Sequence, residues 1–255
     1  MTKQLNVYPL PALARDLPAT GVSVAIDVLR ATTTITTALA NGARRVLPFE
    51  TIEETLAAKK AILASQRGNA EELLLGGERE GLPISGFDLG NSPDSYTPET
   101  VVDKTILFTT TNGTKAILQC RGTVYVASFL NASAVVETLL ANDAPDPISI
   151  VCAGTNGQYT EEDLALAGLL VDRLTRARAD FELNVQAEVA REQWRANCYQ
   201  SLFETLAASR GGQNLKRIEL LKDVDDAAKL DSLNVVAEYR VGEIRLAGSD
   251  WKRDA

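Results

Sequence analysis

An apolar strand, a polar loop rich in Thr, Asn or Gly, and then a helix follow one another four times in this chain. The predicted strands are Val22 to Asp27, whose apolar run ends at Ile26, Thr105 to Phe108, Val124 to Ala127 and Ile148 to Cys152. The helices that follow run from Thr33 to Ala40, Lys115 to Cys120, Ala134 to Ala141 and about Asp163 to Arg178. Strands alternating with helices predict an α/β fold with a largely parallel sheet. The units have no fixed period, so a solenoid is excluded. In such sheets the loops at the carboxyl ends of the strands gather along one edge, where ligands bind.

The first unit, VSVAIDVLRATTTITTALANG from Val22 to Gly42, carries the most chemistry. Its strand delivers Asp27 and Arg30, then Thr32, Thr33 and Thr34, and its helix stops at Asn41-Gly42. A helix N-terminus offers free N–H groups and a positive dipole end to an anion. Asp27 beside it reads as a metal ligand or an acid–base group, and Arg30 as a clamp for phosphate or carboxylate. The plainer reading is a strand-end ion pair, with the threonines as helix caps. Phosphatases that work through an aspartyl phosphate carry a second Asp two residues after the first. Leu29 occupies that position here, which weakens the nucleophile reading of Asp27 and favours the metal-ligand one.

Three further segments have the same character. A short strand from Leu73 to Gly76 runs into a long polar, Gly-rich loop from Gly76 to Pro93. A loop this long in a compact domain is usually functional. It holds Glu78, Arg79, Asp88 and Asn91; Arg79 can approach an anion closely, and Glu80 reads as solvated. The loop Thr109 to Thr114 lacks the Gly-Lys-Ser/Thr of a P-loop. The loop after Cys152 lacks the Arg of a cysteine phosphatase, since Gln158 stands six residues on. Glu161, Glu162 and Asp163 open a helix, as dipole complements or as Mg²⁺ ligands, and Thr160 with Asp163 resembles a capping box.

Beyond residue 180 the pattern changes. Val185 to Ala208 reads as one long helical stretch with Trp194, Tyr199 and Phe203, broken by Gly211-Gly212. Asp223 to Leu230 reads as a short acidic helix, and Val235 to Tyr239 and Glu243 to Leu246 as late strands that complete a sheet.

Composition narrows the chemistry. The 255 residues, 45% of them apolar, suffice for one large or two smaller α/β domains. A net charge of −8 argues against nucleic-acid or anionic-membrane partners. No apolar run reaches the about 20 residues that span a bilayer, and MTKQLNVYPL lacks the apolar core of a signal peptide. Three cysteines, Cys120, Cys152 and Cys198, have no zinc-type spacing, so a reduced, cytoplasmic protein is expected. The chain has no histidine, which excludes Ser-His-Asp and Cys-His catalysis and a phosphohistidine intermediate. Acid–base work falls to Asp, Glu, Lys, Tyr, Cys or metal-bound water, and an oxygen-ligated Mg²⁺ or Mn²⁺ is the expected metal.

Together the segments resemble the 2-phosphosulfolactate phosphatases. The matching pieces are IDVLRATTTITTALANGA (Ile26 to Ala43), GERxGxxIxGFDLGNSP (Gly77 to Pro93), TTNGTKAI (Thr110 to Ile117), ASFLNASAV (Ala127 to Val135), and IVCAGTNG with EDLALAG (Ile150 to Gly168). The resemblance implies a Mg²⁺-dependent phosphatase that converts (R)-2-phospho-3-sulfolactate to 3-sulfolactate and phosphate, a step towards coenzyme M. It implies an α/β/α three-layer fold with two similar halves, 1–125 and 126–255 with a soft boundary, that exchange C-terminal strands. The residues supply a matching mechanism. Asp27 and carboxylates such as Glu162 and Asp163 would hold Mg²⁺, Arg30 and Arg79 would neutralise phosphate and sulfonate charge, and Glu78 is the acid–base candidate; direct attack by water and a covalent aspartyl phosphate at Asp27 both stay open. Thr32, Thr33, Asn91, Thr111, Asn112, Gly113, Thr114, Asn131 and Gly154 are expected to contact the substrate. The alternatives are a Mg²⁺-dependent phosphatase of another small phosphorylated hydroxy acid, and a non-catalytic binder of a phosphorylated metabolite. The expected partner is a small anionic phosphorylated substrate; homo-oligomerisation is left open.

Overall fold

A computed structural model describes residues 2–65, 72–141, 144–197, 200–249 and 251. Cys198 and Tyr199 lie outside the described residues. The N-terminal part contains β1 (Lys3–Tyr8), β2 (Val22–Ile26), α1 (Ala31–Ala40), β3 (Arg45–Phe49) and α2 (Ile52–Ala64). Then come β4 (Leu73–Arg79), β5 (Leu82–Pro83), α3 (Pro98–Val101), β6 (Thr105–Thr109) and α4 (Gly113–Gln119). The middle of the chain forms β7 (Thr123–Ala127), α5 (Ala132–Ala141), β8 (Ile148–Cys152), α6 (Glu161–Ala177) and β9 (Phe181–Leu183). The last elements are α7 (Val185–Asn197), α8 (Leu202–Ala208), α9 (Arg210–Arg217), α10 (Leu221–Ala227), β10 (Ala237–Arg240) and β11 (Glu243–Leu246).

Among the described residues the strands form one 11-stranded sheet in the order β5-β4-β6-β3-β11-β10-β7-β2-β8-β1-β9. All pairings within the wing β7-β2-β8-β1-β9 are parallel, as are those of β4-β6-β3. The C-terminal hairpin β10-β11 lies between the wings and is antiparallel to both of its neighbours. β1 and β2, from the first half of the chain, therefore share a wing with strands of the second half.

This arrangement is α/β/α in three layers, and β2 shows why. All five of its residues are buried, because both faces of the strand are covered. Val22, Val24 and Ile26 enter a core with Val135 of α5 and Leu166 and Leu170 of α6. Ala25 points the other way, into a core with Ile35 and Leu39 of α1 and Ile117 of α4. Alternating sides along a strand has a period of two.

One expectation about the sheet changes. The carboxyl ends of the strands do not all lie on one edge of a uniformly parallel sheet. Three successive antiparallel pairings, β3 with β11, β11 with β10, and β10 with β7, set the two wings in opposite senses. Each step in a sheet also adds roughly 20–25° of twist. With that twist, the carboxyl ends of β2 and β8 line the same cavity as those of β4 and β6.

Local expectations also shift. The strand at Leu73 does not stop at Gly76; it pairs with β6 as far as Gly77–Thr109 and then turns back through β5. β9 has no counterpart in the sequence reading. Leu56, Lys59, Lys60 and Leu63 recur at helical spacing in α2 but mark no buried stripe: the buried face is Thr55, with Ala58 and Ile62 packed on a small core, while Leu56 and Leu63 face solvent. The stretch from Val185 to Ala208 is two helices, α7 and α8. Gly211-Gly212 does not break a helix; it forms the first turn of α9, capped by Ser209 Oγ accepting from Gly212 N at 3.2 Å.

Candidate active site

A cavity of about 690 Å³ opens where the two wings and α9 meet. Of the residues expected at a site, Asp27, Arg30, Glu78, Arg79, Asn91, Thr111, Asn112 and Gly154 line it. Leu29, Gly81, Asn214 and Arg217 line it as well, together with other residues of the loop after β8 and of α9.

Asp27 stands at the carboxyl end of β2. Its Oδ1 accepts from Ala31 N at 3.3 Å, in the first turn of α1. Thr32 secures the same corner: its hydroxyl donates to Asp27 O at 2.8 Å and accepts from Asp27 N at 3.1 Å. Thr33 Oγ1 donates to Val28 O at 2.7 Å. Both threonines are buried and absent from the cavity wall, so they anchor the loop where substrate contacts were expected. On the far side, a Cβ on Gly113 would lie 2.4 Å from Asp27 Oδ2 and 2.4 Å from the Ala31 Cβ. Only glycine lets α4 come this close to the carboxylate. Thr114 is buried away from the cavity, exchanging hydrogen bonds with Thr110.

Asn131 is a clear departure from expectation. Its side chain is fully buried; Nδ2 donates to Val126 O and Val235 O, each at 3.2 Å, and Oδ1 accepts from Ser128 N at 2.9 Å. It joins the end of β7 to the approach to β10, and its hydrogen-bonding groups are consumed there.

Behind Asp27 lie Glu162 and Asp163 in the first turn of α6. Asp163 Oδ1 accepts from Val28 N at 2.9 Å and Oδ2 from Gly154 N at 3.0 Å, tying the loops after β2 and β8 together. These bonds replace the expected capping box, since Thr160 makes no side-chain cap. Glu162 is 2% exposed and its Oε2 has no hydrogen-bond partner. Burial, then the Glu78 charge, pushes Asp27 up to about 7. Burial, then Asp163, raises Glu162 to about 7. Burial, then Asp27, does the same to Asp163. Each shift says that the protein alone stabilises the ionised cluster poorly.

The opposite wall is organised by Glu78. Its Oε1 accepts from Thr111 N at 2.7 Å, and its Oε2 accepts from Gly81 N at 2.7 Å and from Thr111 Oγ1 at 3.2 Å. The two arginines differ in kind. Arg30 is buried and its Nη1 donates to Asp223 Oδ2 at 2.6 Å and Ser92 Oγ at 3.2 Å, while Nη2 donates to Gly81 O at 2.6 Å. Arg79 donates only to neutral oxygens: Glu78 O at 2.7 Å, Thr109 Oγ1 at 2.9 Å and Glu50 O at 3.1 Å. These bonds fix its position and leave its charge without a carboxylate partner among the described residues. A fixed, uncompensated guanidinium suits an oxyanion. Asn91 Oδ1 is buried and unpartnered at the same cavity.

The sequence reading missed α9 and Asp223. Gly211, Asn214, Leu215 and Ile218 recur at helical spacing and present one face to the cavity. That spacing was readable, but nothing in the segment marks it as chemical. Asp223 is one of three acids in a short helix, 193 residues from Arg30, and only the fold joins it to that arginine. Among the described residues no helix is long and apolar enough to cross a membrane.

Comparison with known proteins points the same way. The family model described as 2-phosphosulpholactate phosphatase matches residues 9–242. A protein of Symbiobacterium thermophilum named "Probable 2-phosphosulfolactate phosphatase" is 40% identical over 245 residues, covering 95% of this chain and 99% of its own length. One of the same name from Clostridium botulinum is 34% identical over 229 residues, 89% of this chain and 92% of its own. A third, from Thermotoga petrophila, is 50% identical over 155 residues, 60% of this chain and 63% of its own. The chain therefore belongs to the 2-phosphosulfolactate phosphatase family, a family of phosphoric monoester hydrolases.

Proposed function

We propose that this protein hydrolyses (R)-2-phospho-3-sulfolactate to 3-sulfolactate and phosphate, with Mg²⁺ bound beside Asp27. The observation that carries the reading is Asp27 at one wall of a cavity whose other wall holds Arg79, with Glu162 and Asp163 buried behind it and outside the cavity lining, in a chain of this family.

The residues fit a hard divalent cation. Glu162 Oε2 is a buried oxygen with no partner, and three neighbouring carboxyls are pushed towards neutrality by burial and by one another. A cation relieves both. Among the described residues no three acidic or cysteine side chains form a ready ligand group. Mg²⁺ is commonly held by one or two carboxylates plus substrate phosphate and water. Asp27 and Glu162 would hold it. Asp163, engaged with two backbone N–H groups, would add charge and fix the loops. When bound, Mg²⁺ polarises a phosphoryl oxygen and stabilises the charge developing there.

The chain supplies the rest. Arg79 faces the phosphoryl group with its charge free, and Arg30, held by Asp223, lends its remaining N–H donors. Thr111 and Asn112 line the same wall, with Glu78 keeping the Thr111 backbone in place. Water adds to phosphorus as the ester P–O bond breaks. Glu78 takes the proton from that water and returns it to the departing C2 oxygen. Such acid–base transfer typically contributes about 10²–10⁴-fold.

The test is phosphate release from phosphosulfolactate, phospholactate and phosphoglycerate, with and without Mg²⁺. The reading expects fastest turnover of phosphosulfolactate and loss of activity in EDTA. No release from any of them, with tight binding of the same compounds by calorimetry, would identify a binding protein instead.

A further inference from the structure

We propose that Arg217, on the α9 wall of the cavity, reads the sulfonate on C3 of the substrate and sets the enzyme's preference for it. The proposal rests on the phosphatase reading above and deepens it.

Three arginines line the cavity, Arg30, Arg79 and Arg217. Arg30 is matched by Asp223 at 2.6 Å. Arg79 is fixed at the strand-end wall by Thr109 and two backbone carbonyls, beside Thr111. Arg217 has neither a hydrogen bond nor an ion pair among the described residues. It stands on the wall contributed by the C-terminal segment.

The position of α9 is not accidental. A Cβ on Gly211 would lie 2.1 Å from Glu162 Oε1, and one on Gly212 would lie 2.0 Å from Leu206 O. The helix is seated directly on the carboxylate cluster and on α8. Ile218, just past its end, reaches Gly81 of the opposite wall, where a Cβ would meet Ile218 Cδ1 at 3.1 Å. A helix held at both ends presents Asn214 and Arg217 to the cavity from a fixed base.

The substrate carries three acid groups on three carbons: a carboxylate, the phosphate and the sulfonate. The phosphate belongs at Asp27, where the chemistry is. Arg79 serves the strand-end wall that holds the reacting group. The acid on C3 projects away from phosphorus, and Arg217 is the cation left for it. A guanidinium offers several N–H donors to the three oxygens of a sulfonate, and Asn214 supplies an amide donor on the same wall.

The experiment measures kcat/KM for phosphosulfolactate and phospholactate, which has a methyl group in place of CH₂SO₃⁻, in the wild type, Arg217→Gln and Arg217→Lys. The expected result is a roughly 10–100-fold fall for phosphosulfolactate in Arg217→Gln, in line with losing a charged hydrogen bond, and a fall of less than about threefold for phospholactate. Arg217→Lys recovers part of the preference. Equal losses on both substrates would assign Arg217 to the shared carboxylate or phosphate and overturn the proposal, as would an unchanged ratio. A wild type that releases phosphate from phospholactate as fast as from phosphosulfolactate removes the preference itself. A wild type inactive on both overturns the phosphatase reading, and this assignment with it.

Discussion

Arg30 Nη1 lies 2.6 Å from Asp223 Oδ2, with the two side chains 3% and 2% exposed. The pair joins the loop after β2 to α10, across 193 residues of sequence. Ser92 Oγ completes it, donating to the same Asp223 oxygen at 2.9 Å. Burial outweighs the arginine in its effect on Asp223, whose pKa is raised, so the pair is held against a desolvation cost. Removing one partner leaves a buried charge unmatched. Asp223→Ala is expected to lower stability by about 3–5 kcal/mol, measured by urea unfolding. Loss of less than about 1 kcal/mol would mean that water solvates the orphaned guanidinium.

The carboxylate cluster makes an unusual prediction about stability and pH. Asp27, Glu162 and Asp163 have folded pKa values of about 7, above their ordinary values of 3.8, 4.5 and 3.8. Between those limits the folded state holds protons that the unfolded chain has released. Their contribution to stability is therefore full at low pH and lost as pH rises through about 7. In EDTA the thermal midpoint should fall from pH 6 to pH 8, and Mg²⁺ should remove much of that slope. Glu162→Gln removes a buried charge, so it should raise the midpoint of the metal-free protein at pH 8 while lowering activity. A midpoint that rises over this range would contradict the charge assignment.

Gly113→Ala tests how tightly the site is packed. The new Cβ would collide with Asp27 Oδ2, as described above. A shift of about 1 Å in a catalytic group can cost roughly 10²-fold. A fall in kcat/KM of that order is expected, with a far-UV circular dichroism spectrum like that of the wild type. Wild-type turnover would show that Asp27 tolerates displacement.

The first unit of the fold was the easiest to read. Val22 to Ile26 is apolar apart from Ser23, whose buried hydroxyl donates to Arg121 O, because both faces of β2 are covered, and Asp27 follows at once at the strand end. Other parts were hidden for physical reasons. Gly76 and Gly77 disguise the continuation of β4, since glycine reads as a loop residue. Gly77 is demanded there by φ +136 and by Thr109 O, which a Cβ would meet at 1.9 Å. Gly211 and Gly212 suggest a helix break for the same reason, whereas they permit close approach at the start of α9. Asn131 looked like a loop amide because local sequence does not reveal Val235 O, one of its partners. Asp223 meets Arg30 only through the fold, and Arg217 stands on a cavity wall that only the fold assembles, so no spacing announces either.

The role of Asp27 has its own test. Leu29 stands where aspartyl-phosphate enzymes place their second acid, and the water route needs no phosphoenzyme. Acid quench during turnover of ³²P-labelled substrate should trap no phosphoryl group on the protein. Acid-precipitable label that disappears in Asp27→Asn would establish the covalent route instead.

Phosphate release from (R)-2-phospho-3-sulfolactate, followed while Mg²⁺ is titrated into metal-free wild type, Asp27→Asn and Glu162→Gln, tests the proposed Mg²⁺ site at Asp27 and Glu162. Saturable, Mg²⁺-dependent release is expected in the wild type, with a loss of at least roughly 10²-fold in both variants. Full activity in excess EDTA, or wild-type rates in either variant, would contradict that site.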